Sequence, residues 1–187
     1  MKVITLNEFG ENNFIKILDD LIKSNRDRNN SWFPNLKKNF KTKYVEWFFL
    51  INKEELVAFS AIQKFGPSCF RVLTRCFIFE KYRRPVLPKK DKFISPATHM
   101  ILKQIEYLNQ YDTLFISLEY ISRKNAIINM ANKMSLCTKK EWLIGDGMFK
   151  TCNDDSKQCW QNICYTGKHP DFQRISYNEW KRRYLLN

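Results

Sequence analysis

The spacing of apolar residues changes several times along this chain, and each change predicts an element. Residues 1–6, MKVITL, predict a short first strand. A spacing of three and four then predicts an amphipathic helix over 11–24, with a second short helix or turn at 30–40. The apolar residues that define the first helix are Phe14, Ile17, Leu18, Leu21 and Ile22.

Three apolar runs follow, at 44–52, 56–65 and 69–80, and they are rich in aromatic and β-branched residues. Such runs favour strands. The connections between them are a short charged turn and the Gly66-Pro67-Ser68 turn. Connections this short predict three antiparallel strands in a meander.

The second half of the chain predicts alternating helices and strands. Ser95 followed by Pro96 favours a helix start, with Ser as N-cap and Pro at the first helical position. This helix is predicted to run to about 109, with the apolar stripe Met100, Ile101, Ile105 and Leu108. A buried strand at 113–120 and a helix marked by 126–134 are predicted next. The last predicted elements are terminal strands at 136–151 and 161–168 and a closing helix at 175–185.

This order predicts an α/β fold with one mixed, mostly antiparallel sheet flanked by helices. A chain of 187 residues fits a single domain spanning 1–187. Apolar content of 44% with fifteen Phe and five Trp excludes a disordered chain. Because no apolar run approaches the roughly 20 residues of a membrane span and no secretory signal is visible, we expect a soluble cytoplasmic protein without a membrane partner.

Positive charge changes this picture, because the formal net charge is +13 and it is clustered. Segments 23–43 and 81–92 each contain a single acidic residue. Clustered cations favour a polyanionic partner, either nucleic acid, an acidic membrane surface or a phosphate-rich cofactor. A basic composition that serves only solubility is the alternative. The basic residues are Lys23, Arg26, Arg28, Lys37, Lys38, Lys41 and Lys43 in the first segment, and Lys81, Arg83, Arg84, Lys89, Lys90 and Lys92 in the second.

The six cysteines predict neither a disulfide framework nor a metal site. Cys69 and Cys76 lie in apolar runs, where a free thiol behaves as a small hydrophobe. Cys152, Cys159, Cys164 and His169 occur in the order of four ligands, but their spacings match no common zinc site. We therefore expect no metal.

Element order and length together resemble the GNAT acetyltransferase superfamily over residues 1 to about 166. CFRVLTRCFIFEKYRRP, followed by SPATHMILKQIEYL, is similar to the family's fourth strand, pyrophosphate loop and next helix. SLEYISRKNAIINMANKM is similar to its fifth strand and following helix. The resemblance implies an acyl-CoA N-acyltransferase fold and an acyl donor, acetyl-CoA or another acyl-CoA.

The resemblance also implies where the cofactor would bind, and it shows two departures. The family's phosphate loop is glycine-rich, whereas 82–95 contains no Gly, so Lys and Arg side chains would have to substitute. Met130 stands near the position of the customary Tyr that acts as general acid. The implied cofactor-binding residues are Cys76, Phe77, Ile78, Arg83, Arg84, Lys89, Lys90, Lys92, Ser95 and Asn125.

Amine acylation needs a base for the ammonium and an acid for the leaving thiolate. Glu80 and Glu119, at the ends of two predicted strands, are candidate bases, and Tyr120 is the nearest candidate acid. Arg75, inside an apolar strand, must find an anion or a carboxylate, and Glu46 is a candidate partner.

Two other functions stay open at this point. A nucleic-acid-modifying enzyme on the same fold, similar to Mom-type phage DNA modification enzymes, would use segments 23–43 and 81–92 on nucleic acid. A non-catalytic nucleic-acid-binding protein would explain the missing glycines and Met130. Neither the acceptor nor the oligomeric state follows from the sequence.

Overall fold

A computed structural model of the protein describes residues 1–24, 32–64, 69–83, 95–111, 113–119, 124–151 and 154–167. Its elements in chain order are β1 (Lys2–Thr5), α1 (Leu6–Phe9), α2 (Glu11–Ser24), α3 (Trp32–Asn39), β2 (Glu46–Asn52), β3 (Glu55–Lys64), β4 (Cys69–Ile78), a 3₁₀ turn (Glu80–Tyr82), α4 (Pro96–Tyr107), β5 (Thr113–Glu119), α5 (Lys124–Thr138), β6 (Leu143–Thr151) and β7 (Asp154–Thr166).

The seven strands form one mixed sheet in the order β1-β2-β3-β4-β5-β7-β6. β4 and β5 pair in parallel, while β1–β2, β2–β3, β5–β7 and β6–β7 pair antiparallel. This confirms the predicted fold class, a mixed and mostly antiparallel sheet with flanking helices.

Most element predictions are confirmed, with three differences. The short α1 was not predicted, although Thr5 and Glu8 form its capping box, in which the Glu8 carboxylate accepts from the Thr5 N–H at 2.8 Å. The strand predicted from 136 is wrong at its start, because residues 136–138 end α5 and β6 begins at Leu143. The last strand, predicted at 161–168, begins earlier, because β7 starts at Asp154. The closing helix predicted at 175–185 lies outside the described residues and stays a prediction.

The late start of β6 follows from side-chain hydrogen bonds at the end of α5. Thr138 Oγ1 donates to the Met134 carbonyl at 2.7 Å, and the buried Trp142 indole donates to Thr138 Oγ1 at 3.0 Å. The Trp142 N–H donates to Ser135 Oγ at 3.1 Å. These bonds satisfy groups at a helix end that would otherwise lack partners.

Packing divides the chain into two compact units. The first comprises Met1–Gln63 and Arg75–Lys103, and the second comprises Lys64–Thr74 and Gln104–Asn187. In the first unit the fully buried ring of Phe14 on α2 lies 4.9 Å from both Trp47 and Phe49, measured between ring centroids. In the second unit, Ile127, Ala131 and Met134 are the buried residues of α5, which packs on β6 and β7.

The β2–β3 hairpin is closed by two residues in the left-handed region. Lys53 has φ 47° and Glu54 has φ 69°, between the paired Asn52 and Glu55. Two positive φ angles in a two-residue loop match a type I′ turn, whose twist suits paired strands. Side chains with a Cβ are disfavoured in this conformation.

We therefore predict that Glu54→Gly stabilises the protein by about 1 kcal/mol, because glycine adopts positive φ without the Cβ penalty. The melting temperature should rise by about 2–4 °C. The matched control is Glu106→Gly, which removes a glutamate inside α4 and should lower stability by about 1 kcal/mol. Equal destabilisation of both variants in thermal unfolding would contradict the assigned turn.

Candidate functional site

The pairing between β4 and β5 covers only part of either strand. Three residue pairs form the parallel ladder, Cys69–Arg71 with Thr113–Phe115. β4 continues to Ile78 and β5 to Glu119. Arg71, the last β4 residue paired with β5, is therefore followed by seven more strand residues, 72–78.

Two residues just past this ladder have left-handed backbone angles, Leu73 with φ 52° and Arg75 with φ 49°. Residues with a Cβ take up this conformation only where their surroundings enforce it, and each such residue costs about 1–2 kcal/mol. The Leu73 N–H donates to the side-chain oxygen Oε1 of Gln104 at 2.7 Å. Gln104 is fully buried on α4, so this bond links helix and strand inside the core.

Arg75 has a different partner from the one predicted. Its Nε donates to the Tyr44 hydroxyl at 2.7 Å, and the Tyr44 ring packs on Trp47 at 4.9 Å. The Glu46 carboxylate, the candidate partner from the sequence, accepts from the backbone N–H of Trp47 at 2.8 Å and from that of Leu6 at 3.4 Å.

The three strand residues predicted to contact the cofactor are half-buried at the end of β4. The Phe77 ring packs on Phe33 and Phe59, each at 5.4 Å, so its side chain belongs to the core. Burial raises the pKa of the Cys76 thiol to about 12. Cys76 is therefore a neutral packing residue at physiological pH, and a contribution of Cys76 or Phe77 to ligand binding would come from the backbone.

The chain turns sharply after β4 and brings Arg83 back onto the strand end. Arg83 Nε donates to the Ile78 carbonyl at 2.8 Å, and its guanidinium lies 5.5 Å from the centroid of the Phe77 ring. Glu55 accepts hydrogen bonds from Lys81 and Tyr82, which lower the pKa of its carboxyl. Glu80, a candidate base, is exposed at the start of this turn.

Ser95 caps α4 as predicted. Its Oγ accepts from the Thr98 N–H at 3.3 Å and lies 2.9 Å from Thr98 Oγ1, and Pro96 is the first helical residue. A helix N-terminus carries free N–H groups and a positive partial charge, which favours anions. The first unit thus contains the end of β4, Arg83 and the capped start of α4.

Several other predicted site residues cannot be assigned a role from geometry. Glu119 is the last residue of β5, and Asn125 and Met130 are in α5. Arg84, Lys89, Lys90, Lys92 and Tyr120 lie outside the described residues.

One buried hydroxyl near the end of the β4–β5 ladder has no hydrogen-bond partner. It is Ser117 Oγ on β5, two residues past the last paired residue, Phe115. A buried polar group without a partner is destabilising by about 1–3 kcal/mol. A polar atom of a bound molecule or water at this position would satisfy it.

Gln104 and Tyr44 are the contributors to this region that sequence reasoning missed. The sequence does mark Gln104, because this polar residue lies four residues after Met100 and four before Leu108, in the middle of the apolar stripe. A polar residue at such a position must find a buried partner. No pattern in the sequence marks Tyr44, since its partner Arg75 is 31 residues away.

The two basic segments are partly neutralised by ion pairs. Lys37 contacts Asp19 and Lys41 contacts Glu11, both at 2.6 Å, and Lys81 contacts Glu55 at 2.7 Å. Exposed pairs of this kind contribute about 0–1 kcal/mol to stability. Their main effect here is to reduce the positive charge that the segments present to a ligand.

Within the described ranges, no three His, Cys, Asp or Glu residues are placed to share a metal ion. Over the same part of the chain, no helix is both long and apolar enough to cross a membrane. A surface depression of about 420 Å³ beside Lys140, Leu143 and Thr166 contains none of the predicted site residues.

No protein-family model matches the chain, and no curated protein matches its sequence. Solved structures are similar to it in fold. An aminoglycoside 6′-N-acetyltransferase complexed with coenzyme A superposes with a TM-score of 0.51 and 11% identity, over 91% of this chain and 100% of that one. The fold is that of the GNAT acetyltransferases.

Two further GNAT-fold structures are similar. A ribosomal-protein-alanine N-acetyltransferase from Brucella melitensis has a TM-score of 0.49 and 10% identity, over 89% of this chain and 99% of that one. The ribosomal-protein-S18-alanine N-acetyltransferase from Escherichia coli has a TM-score of 0.45 and 14% identity, over 75% and 82%. At identities this low, activity has to be argued from the site.

The Cys76 environment predicts low reactivity. With a pKa of about 12, only about one thiol in ten thousand is ionised at pH 8, and the thiolate is the reactive form. Native protein treated with iodoacetamide at pH 8 should label the exposed Cys137 while Cys76 stays unmodified, as read by peptide mass spectrometry. Unfolding in denaturant should make both react. Equal labelling of the two in the native protein would show that the Cys76 thiol is accessible and ionised.

Proposed function

We propose that this protein transfers an acyl group from acetyl-CoA, or another acyl-CoA, to the amine of an acceptor. The observation that carries the proposal is the end of the β4–β5 ladder, followed at once by the bulge at Leu73 and Arg75. An extended ligand with amide groups, such as the pantetheine arm of CoA, can pair with strand backbone in the manner of an added strand. The GNAT-fold neighbour complexed with coenzyme A supports the same ligand.

The ligand would be held by two groups of residues. Its pantetheine arm would pair with the backbone of Cys76, Phe77 and Ile78. Its phosphates would bind near the Ser95-capped start of α4, which attracts anions through its free N–H groups. Arg83, and with it Arg84, Lys89, Lys90, Lys92 and Asn125, would supply the side-chain contacts that replace a glycine-rich loop.

The chemistry consists of one bond formed and one broken. The acceptor nitrogen attacks the thioester carbonyl, a C–N bond forms, and the C–S bond breaks to release the CoA thiolate. Glu80 or Glu119 would take the proton from the amine, and Tyr120 would protonate the thiolate. Met130 cannot transfer a proton, so it does not replace Tyr120 as the acid.

Nucleic acid is the second candidate ligand, and the net charge of +13 is the observation that favours it. A nucleic-acid-modifying or nucleic-acid-binding protein on this fold, Mom-like in plan, would use segments 23–43 and 81–92. The ion pairs of Lys37, Lys41 and Lys81 weigh against it, because they take up charge that phosphate contacts would need.

Binding of CoA is the direct test. We predict that acetyl-CoA or CoA at a hundred times its dissociation constant stabilises the protein by about 2.7 kcal/mol, since it binds only the folded state. Replacing Arg83 and Arg84 together by Gln should weaken CoA binding about tenfold or more, because each charge-assisted bond to phosphate contributes about 1.5–3 kcal/mol. Thermal shift and isothermal titration measure both effects.

Lys38→Gln with Lys43→Gln is the matched control, since it also removes two positive charges, here from exposed positions in the other basic segment. The control should bind CoA as the wild type does. If millimolar CoA and acetyl-CoA leave the wild-type melting temperature unchanged, the cofactor assignment is wrong. If CoA affinity falls by the same factor in both double variants, the loss comes from the lower net charge and not from a contact of Arg83 or Arg84 with the phosphates.

Duplex DNA provides the second test. For an acyltransferase with a small acceptor, we predict no duplex binding at 0.15 M salt by fluorescence anisotropy. A nucleic-acid function would instead give binding that falls about a thousandfold between 0.05 and 0.2 M salt for six or more phosphate contacts. In that case the Lys38/Lys43 double variant should reduce the salt slope by about two. Such a result would favour the second candidate.

A further inference from the structure

We propose that Gln104 is a positioning residue for acyl-CoA, which acts by holding the bulge of β4 in the conformation that presents the Cys76–Ile78 backbone to the ligand. This inference rests on the proposed function. The effect of Gln104 is transmitted through Leu73, whose N–H its side chain accepts.

The geometry of the contact is specific. Gln104 Oε1 accepts the Leu73 N–H at 2.7 Å, and the glutamine side chain is fully buried. A buried amide side chain is unfavourable unless it is hydrogen-bonded, so an aliphatic residue would be the default at this stripe position. The Leu73 N–H gives the acceptor oxygen of this buried glutamine a partner.

The place of the contact along β4 explains the requirement. Arg71 is the last β4 residue paired with β5, and Leu73 lies two residues beyond it with φ 52°. A backbone N–H that has left a ladder needs another acceptor. By accepting this one, Gln104 stabilises a left-handed leucine that a regular strand would not contain. The strand is thereby held in its bulged form at the point where its pairing with β5 has ended.

The same helix carries the predicted phosphate-binding end. Ser95 caps α4, and Gln104 lies nine residues further along, about 13 Å by the rise of an α-helix. α4 therefore contains both the capped end that we assign to the phosphates and the glutamine that binds Leu73.

The test uses Gln104→Met, which retains the length and volume of the side chain but lacks the amide oxygen. The control is Ile105→Val, which removes one methylene from the next buried residue of α4 without touching Leu73. Isothermal titration compares CoA with adenosine 3′,5′-bisphosphate, which contains the nucleotide end of CoA but no pantetheine. Amide hydrogen exchange at Leu73, followed by NMR, reports the hydrogen bond without any ligand.

We expect Gln104→Met to weaken CoA binding about tenfold, since small misplacements remote from the chemistry have effects of that order or larger. Adenosine 3′,5′-bisphosphate should bind the variant as tightly as the wild type. Leu73 exchange should accelerate in Gln104→Met and not in Ile105→Val. A general loss of packing would instead affect both ligands and both variants alike.

Unchanged CoA affinity in Gln104→Met, or equal losses for the two ligands, would overturn the positioning role. If the wild type binds no CoA, both the proposed function and the role of Gln104 in binding are overturned. Amide hydrogen exchange at Leu73 would then show only whether Gln104 holds the bulge. If the Met variant does not fold, Gln104→Asn replaces it, because it retains an amide but withdraws the acceptor by one methylene. The same readouts and the same outcomes apply.

Discussion

Buried backbone N–H groups must be hydrogen-bonded, and in this protein that requirement determines the shape of β4. Up to Arg71 the strand pairs with β5, and at Leu73 a glutamine side chain takes over. Two left-handed residues in the middle of a strand persist because hydrogen bonds hold them, one donated by Leu73 to Gln104 and one donated by Arg75 to Tyr44. The candidate site lies directly after these residues, so its backbone geometry depends on them.

The sequence predicted the elements whose determinants are local. The apolar stripe of α2 faces the aromatic residues of β2 and β3, and the Ser95-Pro96 pair starts α4 as expected. Helix periodicity and capping depend on residues within a few positions, which explains why they can be read from one sequence. The fold class followed from the order of those elements.

What escaped prediction depends on distant residues. Nothing in LTRC marks Leu73 as left-handed, because leucine has no preference for that conformation and the cause is a glutamine 31 residues away. The hydrogen bond from Arg75 to Tyr44 likewise joins residues 31 positions apart. The ion pairs of Lys37 and Lys41 with α2 are also long-range, so the clustered charge in the sequence overstated the charge available to a ligand.

The double role of α4 restricts how this chain can vary in length. Inserting one residue between Ser95 and Gln104 would rotate the glutamine by about 100° around the helix axis and move it about 1.5 Å along that axis, away from Leu73. Hairpin loops such as Lys53–Glu54 face no such restriction, since added residues there extend into solvent. Among related chains, insertions and deletions should therefore accumulate in the hairpins, while the nine-residue interval from the cap to the glutamine is kept.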